Sequence, residues 1–202
     1  DKIQDHTITE LSNLRSFSNR FSSYSGNTNE DLRQLRRDIE RIMLDKYEVC
    51  DITKPKSVKI KNQHFHRDVD VVTSCWYDSY YYVLNGENER NRAISIYNKD
   101  TNTANGPDYP FLSISRINER NAVTQGRLKR MIRFLKNVRS DSDKAIDLSS
   151  FEINAICYSI DTKDYSNLDY KELVYLLWNV MYHLLIDGTA SQLKSVVGDE
   201  KV

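Results

Sequence analysis

Residues 65–72 read FHRDVDVV and place two carboxylates, Asp68 and Asp70, inside an apolar run that predicts a β-strand. Side chains alternate between the faces of a strand, so both carboxylates point to one side, about 6.5 to 7 Å apart, and Val69 and Val71 point to the other. At that separation two ionised carboxylates repel by roughly 2 kcal/mol at an effective dielectric constant of 20. A partly buried pair would therefore favour a cation such as Mg²⁺, which takes carboxylate oxygens, whereas a pair on a wet strand face needs none.

Histidines continue this alternation upstream, because His64 and His66 precede Asp68 at steps of two. The resulting His-x-His-x-Asp pattern is one alternative, a metal-dependent hydrolase of the zinc type. We rank it last, because Val69 stands where that pattern needs a further histidine and the chain has only four histidines. Turn and surface positions are the simpler interpretation of His64 and His66.

The composition bounds the class of protein. The chain has 202 residues with 29 Lys plus Arg and 29 Asp plus Glu, so its net charge of zero does not indicate a nucleic-acid partner. Three cysteines, in no C-x-x-C spacing, predict reduced thiols in a cytoplasmic protein. No apolar run approaches the roughly 18 residues of a membrane span, and the polar start does not resemble a signal peptide. We expect a soluble protein without a membrane partner, and nothing in the sequence indicates its oligomeric state.

Hydrophobic spacing predicts a small sheet followed by helices. The predicted strands are 57–60, 65–72 and 92–98, and residues 98–110 are predicted to be a loop from their composition. The predicted helices are 6–21, 29–47 with Asn29 as N-cap, 124–140, 149–160, and a long, mostly buried one over 169–187. In the second of these helices, Arg33, Arg36, Arg37 and Glu40 are expected to form a solvated face. The expected fold is mixed α/β of the α+β type, with a sheet lobe over residues 1–117 and a helical lobe over residues 118–202.

The helix predicted over 124–140 carries two stripes. Its apolar stripe is Leu128, Met131, Ile132, Leu135 and Val138, and its basic stripe is Lys129, Arg133 and Lys136. The basic stripe is typical of a phosphate-binding helix and equally of any solvated helix.

Two serines, Ser149 and Ser150, begin the next predicted helix. Free N–H groups and hydroxyls at a helix N-terminus can bind an anion. Ser149 and Glu152 also have the spacing of a capping box, which would satisfy those donors internally. Both interpretations hold together if Ser149 caps the helix and Ser150 binds the anion.

Three stretches together resemble the template-independent nucleotidyltransferases of the polymerase-β-like superfamily. The most similar branch contains oligoadenylate synthase, cGAS and the bacterial cyclic-dinucleotide synthases. RDVDVV (67–72) resembles the strand with the third metal-binding carboxylate of that branch, GRLKRMIRFLKNVR (126–139) its triphosphate-binding helix, and LSSFEINAICY (148–158) the helix that follows. The resemblance spans residues 29–185 and implies a bilobal fold with a cleft between the two lobes.

The resemblance also implies roles for particular residues. Asp70 corresponds to the catalytic carboxylate that binds Mg²⁺ or Mn²⁺, whereas Asp68, its neighbour on the strand, has no firm counterpart. Lys136 corresponds to the lysine that holds the donor triphosphate, and Ser149 and Ser150 to the serines that touch phosphate and ribose; Lys129 and Arg133 share the basic stripe. The substrates would be nucleoside triphosphates, aligned by two metal ions. We expect Asp70 and Lys136 to converge on one triphosphate, and the product to be a cyclic or linear oligonucleotide signal in bacterial antiviral defence.

The sequence departs from the family at one motif, a Gly-Ser turn followed by an Asp-x-Asp strand. Residues 22–31, SSYSGNTNED, offer a glycine and acids but no Gly-Ser turn. With one carboxylate of three, the chain as it stands should not hold two metal ions well. We therefore expect either a missing segment, upstream of Asp1 or near residues 24–26, or a catalytically degenerate relative that binds nucleotide or RNA as a partner subunit. The sequence does not define the preferred base, the acceptor or an activator.

Overall fold

The computed structural model describes residues 24–62, 67–78, 82 and 88–198, and it divides into two compact units between Phe111 and Leu112. Among the described residues, the first unit contains the strands and a long helix, and the second contains most of the helices. The predicted mixed α+β class is therefore confirmed. The predicted boundary at residues 117 and 118 and the predicted cleft stay predictions, and the helix predicted over 6–21 lies outside the described residues.

The long helix of the first unit is α1 (Thr28–Lys46), close to the predicted range. Its N-cap is Asn27 rather than the predicted Asn29, and the Asn27 side chain accepts a hydrogen bond of 3.3 Å from the backbone N–H of Glu30. Glu30 and Asp31 lie in the first turn, where carboxylates complement the helix dipole.

In the described part of the first unit, six strands form two antiparallel sheets, with the orders β1-β2-β3 and β4-β5-β6. The strands are β1 (Cys50–Asp51), β2 (Ser57–Asn62), β3 (Arg67–Val72), β4 (Ser74–Tyr77), β5 (Ala93–Asn98) and β6 (Thr103–Asp108). A single residue, Thr73, separates β3 from β4. Thr73 is buried, and its carbonyl oxygen accepts a hydrogen bond of 2.9 Å from the N–H of Tyr97. The chain therefore passes from one sheet to the other without leaving the hydrogen-bonded layer.

The prediction of a loop over residues 98–110 was wrong, because residues 103–108 form β6. The strand is polar and contains Gly106 and Pro107, which composition alone assigns to loops. Its pairing with β5 includes an irregularity between Ile94 and Ile96, opposite these residues. A Cβ atom at Gly106 would lie 2.7 Å from the Ser95 hydroxyl oxygen, so the close approach of the strands requires glycine there. Pairing, and not side-chain hydrophobicity, defines this strand.

Arg36 contradicts the prediction of a fully solvated charged face on α1. Its side chain is 2% exposed and donates hydrogen bonds to the carbonyl oxygens of Lys54 at 2.9 Å and Ser57 at 3.0 Å, with a longer one of 3.5 Å to Ile52. It also pairs with Glu40 at 2.8 Å. The segment that returns from β1 to β2 crosses the helix here and turns its carbonyls inward, and the guanidinium supplies the donors that these oxygens need.

The second unit begins within α2 (Pro110–Val123) and contains α3 (Arg127–Asp141), α4 (Ser150–Ser159), α5 (Thr162–Tyr165) and α6 (Tyr170–Ile186). The predicted apolar stripe of α3 lies in the core through Leu128, Met131, Ile132 and Leu135. Val138, which was predicted on the same stripe, is 45% exposed. The core also includes Leu173 and Leu177 of α6.

The prediction that α6 is mostly buried was wrong. Its buried residues are Leu173 and Leu177, and its exposed aromatic and aliphatic side chains are Tyr170, Tyr175, Trp178, Tyr182, Leu185 and Ile186. Apolar side chains occupy more of the circumference of this helix than one face, and only one face can pack against the core of its own unit. Within the part of the chain that the structure describes, no helix combines the length and the apolar character needed to cross a membrane.

Candidate functional site

The predicted carboxylates lie on the exposed face of the first sheet. Asp68 and Asp70 pair with Lys61 and Lys59 of β2 in the strand register, and their side chains are 54% and 52% exposed. Val58 and Ile60 alternate with these lysines and are buried on the other face. The predicted alternation is therefore present, and the carboxylate face is open to solvent.

Each carboxylate has cationic or hydroxyl partners on this face. Asp68 accepts from Lys59 at 2.5 Å, and this hydrogen bond lowers the pKa of Asp68 and raises the pKa of Lys59. Asp70 lies 3.6 Å from the ammonium of Lys54 and accepts a hydrogen bond of 3.1 Å from the Ser57 hydroxyl. Lysine ammonium groups therefore offset the negative charge of both carboxylates.

A metal ion would need more ligands than this strand offers. Among the described residues no group of three or more His, Cys, Asp or Glu side chains is placed to hold a metal ion. The chemistry of Asp70 suits Mg²⁺, but one exposed carboxylate does not make a complete site. The zinc alternative depends on His64 and His66, which lie outside the described residues, so it stays a prediction.

The predicted basic residues lie along α3. Lys129 and Arg133 are exposed and Lys136 is half-buried. The rise of 1.5 Å per residue places Lys136 about 10 Å from Lys129 along the axis, with Arg133 between them. The end of α3 near Lys136 is the end from which the chain leads to α4. Asp70 belongs to the first unit and Lys136 to the second, and their predicted convergence on one triphosphate stays a prediction.

The start of α4 has the predicted capping box. The Ser149 hydroxyl oxygen accepts a hydrogen bond of 3.1 Å from the N–H of Glu152, and the Glu152 carboxylate accepts one of 2.6 Å from the N–H of Ser149. Hydrogen bonds from Ser149 lower the pKa of Glu152. Ser149 therefore caps the helix, while Ser150, the first helical residue, remains exposed.

Arg139 joins α3 to the start of α4, and the sequence interpretation did not include it. Its guanidinium donates hydrogen bonds to the carbonyl oxygen of Leu148 at 2.7 Å and to the hydroxyl oxygen of Ser150 at 3.2 Å. The available signal was its position four residues after the buried Leu135, where an apolar residue would continue the stripe.

The first unit contains a buried ion pair that the sequence did not predict. Asp78 is 1% exposed and accepts hydrogen bonds of 2.6 and 3.1 Å from Arg92, whose guanidinium also lies over the rings of Trp76 and Tyr82. This bidentate ion pair links the residue after β4 to the residue before β5, and a tyrosine-rich stretch of sequence lies between the two.

A cavity of about 490 Å³ lies between the start of α1 and the second sheet, and it contains none of the predicted site residues. Cys75 lines it, and burial raises the pKa of this thiol. Burial also raises the pKa of Cys157, in the core of the second unit, to about 12. A thiol with such a pKa is protonated at neutral pH, so Cys157 is not a nucleophile.

Comparison with known proteins places the chain among known relatives. The cGAS/DncV-like nucleotidyltransferase C-terminal helical domain matches residues 115–201. A c-di-GMP synthase from Lachnospiraceae bacterium (strain RUG226) is 61% identical over 193 residues, which are 96% of this chain and 56% of that protein. One from Capnocytophaga granulosa is 47% identical over 180 residues, 89% of this chain and 51% of that protein.

Among solved structures, a STING-associated CdnE c-di-GMP synthase from Flavobacteriaceae sp. superposes with a TM-score of 0.74 and 38% identity. The match covers 96% of this chain and 55% of that one. The chain thus spans about half the length of the curated relatives it matches. The fold and the matched helical domain define a nucleotidyltransferase-type protein. The chain belongs to the cGAS/DncV-like nucleotidyltransferases.

Proposed function

We propose that this chain is part of a nucleotidyltransferase that makes cyclic di-GMP. The observation that supports it most is the 61% identity, along 96% of the chain, to a c-di-GMP synthase. Such an enzyme would join two GTP molecules in two steps. In each step a ribose hydroxyl attacks the α-phosphorus of a GTP, the bond to the leaving pyrophosphate breaks, and the hydroxyl proton passes to solvent. Two pyrophosphates and one cyclic dinucleotide result.

In this proposal Asp70 is one carboxylate ligand of Mg²⁺, or of Mn²⁺ in its place. The metal would neutralise the charge that develops on the leaving pyrophosphate. Asp70 would exchange its contact with the Lys54 ammonium, 3.6 Å away, for the metal ion. Further ligands would come from the part of the relatives that this chain does not span. Asp68 is the weaker candidate, because the Lys59 ammonium already holds it at 2.5 Å.

The triphosphate contacts would come from α3 and the start of α4. Lys136 is the first candidate for the β- and γ-phosphates, because it is the basic-stripe residue closest along α3 to the end that leads to α4. Arg133 is one turn away, and Lys129 lies about 10 Å from Lys136 along the axis, so it would act only at the periphery. Ser150 would donate its hydroxyl to a phosphate oxygen, while Ser149 mainly closes the helix.

The product would act as a signal in bacterial antiviral defence. This part of the proposal depends on the relative named a STING-associated synthase, to which the chain is 38% identical. Nucleoside triphosphates and reduced thiols are both features of the cytoplasm, and all three cysteines are free thiols. We therefore place the reaction in the cytoplasm.

A second candidate is a relative that binds GTP without turning it over. It is favoured by the absence, among the described residues, of a group of three or more His, Cys, Asp or Glu side chains placed to hold a metal ion. Such a protein would be stabilised by GTP through α3 and α4 and would release no pyrophosphate.

The test is pyrophosphate release from GTP and Mg²⁺ by the gene product that contains this chain, with chromatographic identification of the product. We expect c-di-GMP, and we expect Asp70→Asn to abolish release. Asp45→Asn, which changes an exposed carboxylate at the end of α1, is the matched control and should leave release unchanged. No release together with GTP-dependent thermal stabilisation would select the second candidate. Full activity in Asp70→Asn would exclude the assigned role of that carboxylate.

A further inference from the structure

The buried face of α3 ends in a cation. Leu128, Ile132 and Leu135 are buried at steps of four and three residues, and Arg139 follows after another four. Arg139 is half-buried. An arginine at such a position packs its methylene groups along apolar surface and carries its charged end outward. Here the charged end reaches the segment that leads into α4.

The guanidinium contacts both neighbours of the α4 N-cap. One terminal nitrogen donates to the carbonyl oxygen of Leu148 at 2.7 Å, and the other donates to the hydroxyl oxygen of Ser150 at 3.2 Å. Ser149, between them, is occupied by the capping box with Glu152. The planar fork of arginine suits two acceptors held side by side. Arg139 therefore fixes the last turn of α3 against the first residue of α4.

This contact also decides what the Ser150 hydroxyl can do. Its oxygen accepts from Arg139, so its own proton points away from the guanidinium and is available for a different acceptor. A serine at a helix start otherwise tends to bond with nearby backbone groups. The capping box takes the N–H groups of Ser149 and Glu152, while those of Ser150 and Phe151 lie outside it. An anionic oxygen at this point would meet a hydroxyl donor and the first-turn amides.

We propose that Arg139 is a positioning residue for GTP binding, which orients the Ser150 hydroxyl as a donor to a phosphate oxygen. The inference rests on the proposed function and adds a residue to it. Arg139 acts through Ser150 and supports ground-state binding of the triphosphate. Its removal should therefore change KM for GTP and leave kcat nearly unaffected.

The chain offers a matched control at the other end of the same helix. Arg127 is half-buried, and its Nε donates a hydrogen bond of 2.8 Å to the carbonyl oxygen of Leu168. Like Arg139, it ties α3 to a segment that precedes a helix of the second unit. Arg127→Ala therefore removes a comparable structural link without changing the start of α4.

The experiment measures GTP affinity by calorimetry, together with kcat and KM for pyrophosphate release, in the gene product that contains this chain. We expect Arg139→Ala to weaken GTP binding and raise KM about tenfold, the effect of losing one hydrogen bond to a charged group. Arg127→Ala should change KM by less than about twofold. The double variant Arg139→Ala, Ser150→Ala should bind no more weakly than Ser150→Ala alone, because both changes remove the same contact.

Three results would overturn the inference: an unchanged KM in Arg139→Ala, the same KM change in Arg127→Ala, or independent, multiplicative effects of Arg139 and Ser150. If Arg139→Ala does not fold, Arg139→Lys is judged by the same criteria. Lysine keeps the positive charge but lacks the planar pair of nitrogen donors that contacts Leu148 and Ser150 together. A wild-type protein that neither binds GTP nor releases pyrophosphate would instead overturn the proposed function and this inference with it.

Discussion

The carbonyl oxygen of Ser57 accepts a hydrogen bond of 3.0 Å from the buried guanidinium of Arg36, and the hydroxyl of the same serine donates to Asp70 at 3.1 Å. Ser57 therefore connects the interior of the first unit to the exposed carboxylate face. Arg36 also holds the carbonyl of Lys54, whose ammonium lies 3.6 Å from Asp70. The buried guanidinium of Arg36 thus fixes the backbone of Lys54 and Ser57, whose side chains both contact the candidate metal ligand Asp70.

Replacing Arg36 should therefore destabilise the protein strongly. Arg36→Met leaves the carbonyl oxygens of Lys54 and Ser57 without their guanidinium donor and leaves the Glu40 carboxylate with the more distant Lys99 ammonium at 3.5 Å. We expect a loss of about 3 kcal/mol in the free energy of unfolding. Urea unfolding followed by circular dichroism measures it. Arg37→Met, on the exposed side of α1, should change the free energy by no more than about 0.5 kcal/mol. Equal losses in the two variants would contradict the structural role of Arg36.

Basic residues of α3 should differ in their effect on GTP binding. We expect Lys136→Ala to weaken binding about tenfold and Lys129→Ala by less than about threefold, because Lys129 lies two helical turns from Lys136. Calorimetric titration with GTP at two salt concentrations measures both affinities. Similar losses in the two variants would mean that α3 acts through its general positive field and makes no specific phosphate contact.

The capping box at the start of α4 predicts a dependence of stability on pH. Hydrogen bonds from Ser149 place the pKa of Glu152 below its unfolded value, so their contribution is present above the unfolded pKa and is lost as the pH falls through the folded pKa. Glu152→Gln removes the titration, and its stability deficit at pH 7 should narrow as the pH falls from about 5 to about 3. Urea midpoints across this range test it. A deficit that stays constant would show that Glu152 does not titrate with a lowered pKa.

Burial should protect one of the three thiols from alkylation. Cys157 is fully buried and its pKa is raised to about 12, whereas Cys50 is half-buried. Iodoacetamide under native conditions should therefore modify Cys50 well before Cys157, and both should react in urea. Peptide mass spectrometry of timed samples measures the rates. Equal native rates would place Cys157 outside the core.

Local patterns predicted what depends on neighbouring residues along the chain. The stripe through Leu128 and Leu135 defined α3, and the spacing of Ser149 and Glu152 defined the capping box, because both depend on positions within one or two helical turns. Periodicity assigns charged residues to the outer face, so it missed Arg36 and Arg139. Each follows a buried leucine by four residues and is held by backbone carbonyls elsewhere in the sequence.

The surroundings of Asp70 could not be predicted in the same way. The strand was found from its alternating valines, but Lys54 and Ser57 reach Asp70 only through the pairing of β2 with β3. The strand β6 was missed for a related reason, because its polar sequence carries no signal without its partner β5. Both features depend on strand register, which is a property of two segments together.

The junction at Thr73 restricts how this sequence can vary in length. A single inserted residue between Val72 and Ser74 would reverse the face of each side chain in either β3 or β4 and would displace the bond between Thr73 and Tyr97. Homologous chains should therefore keep this spacing constant. Insertions and deletions should accumulate at the exposed turn near residue 101 and in the exposed connection over residues 142–147. In these two places no strand pairing fixes the number of residues.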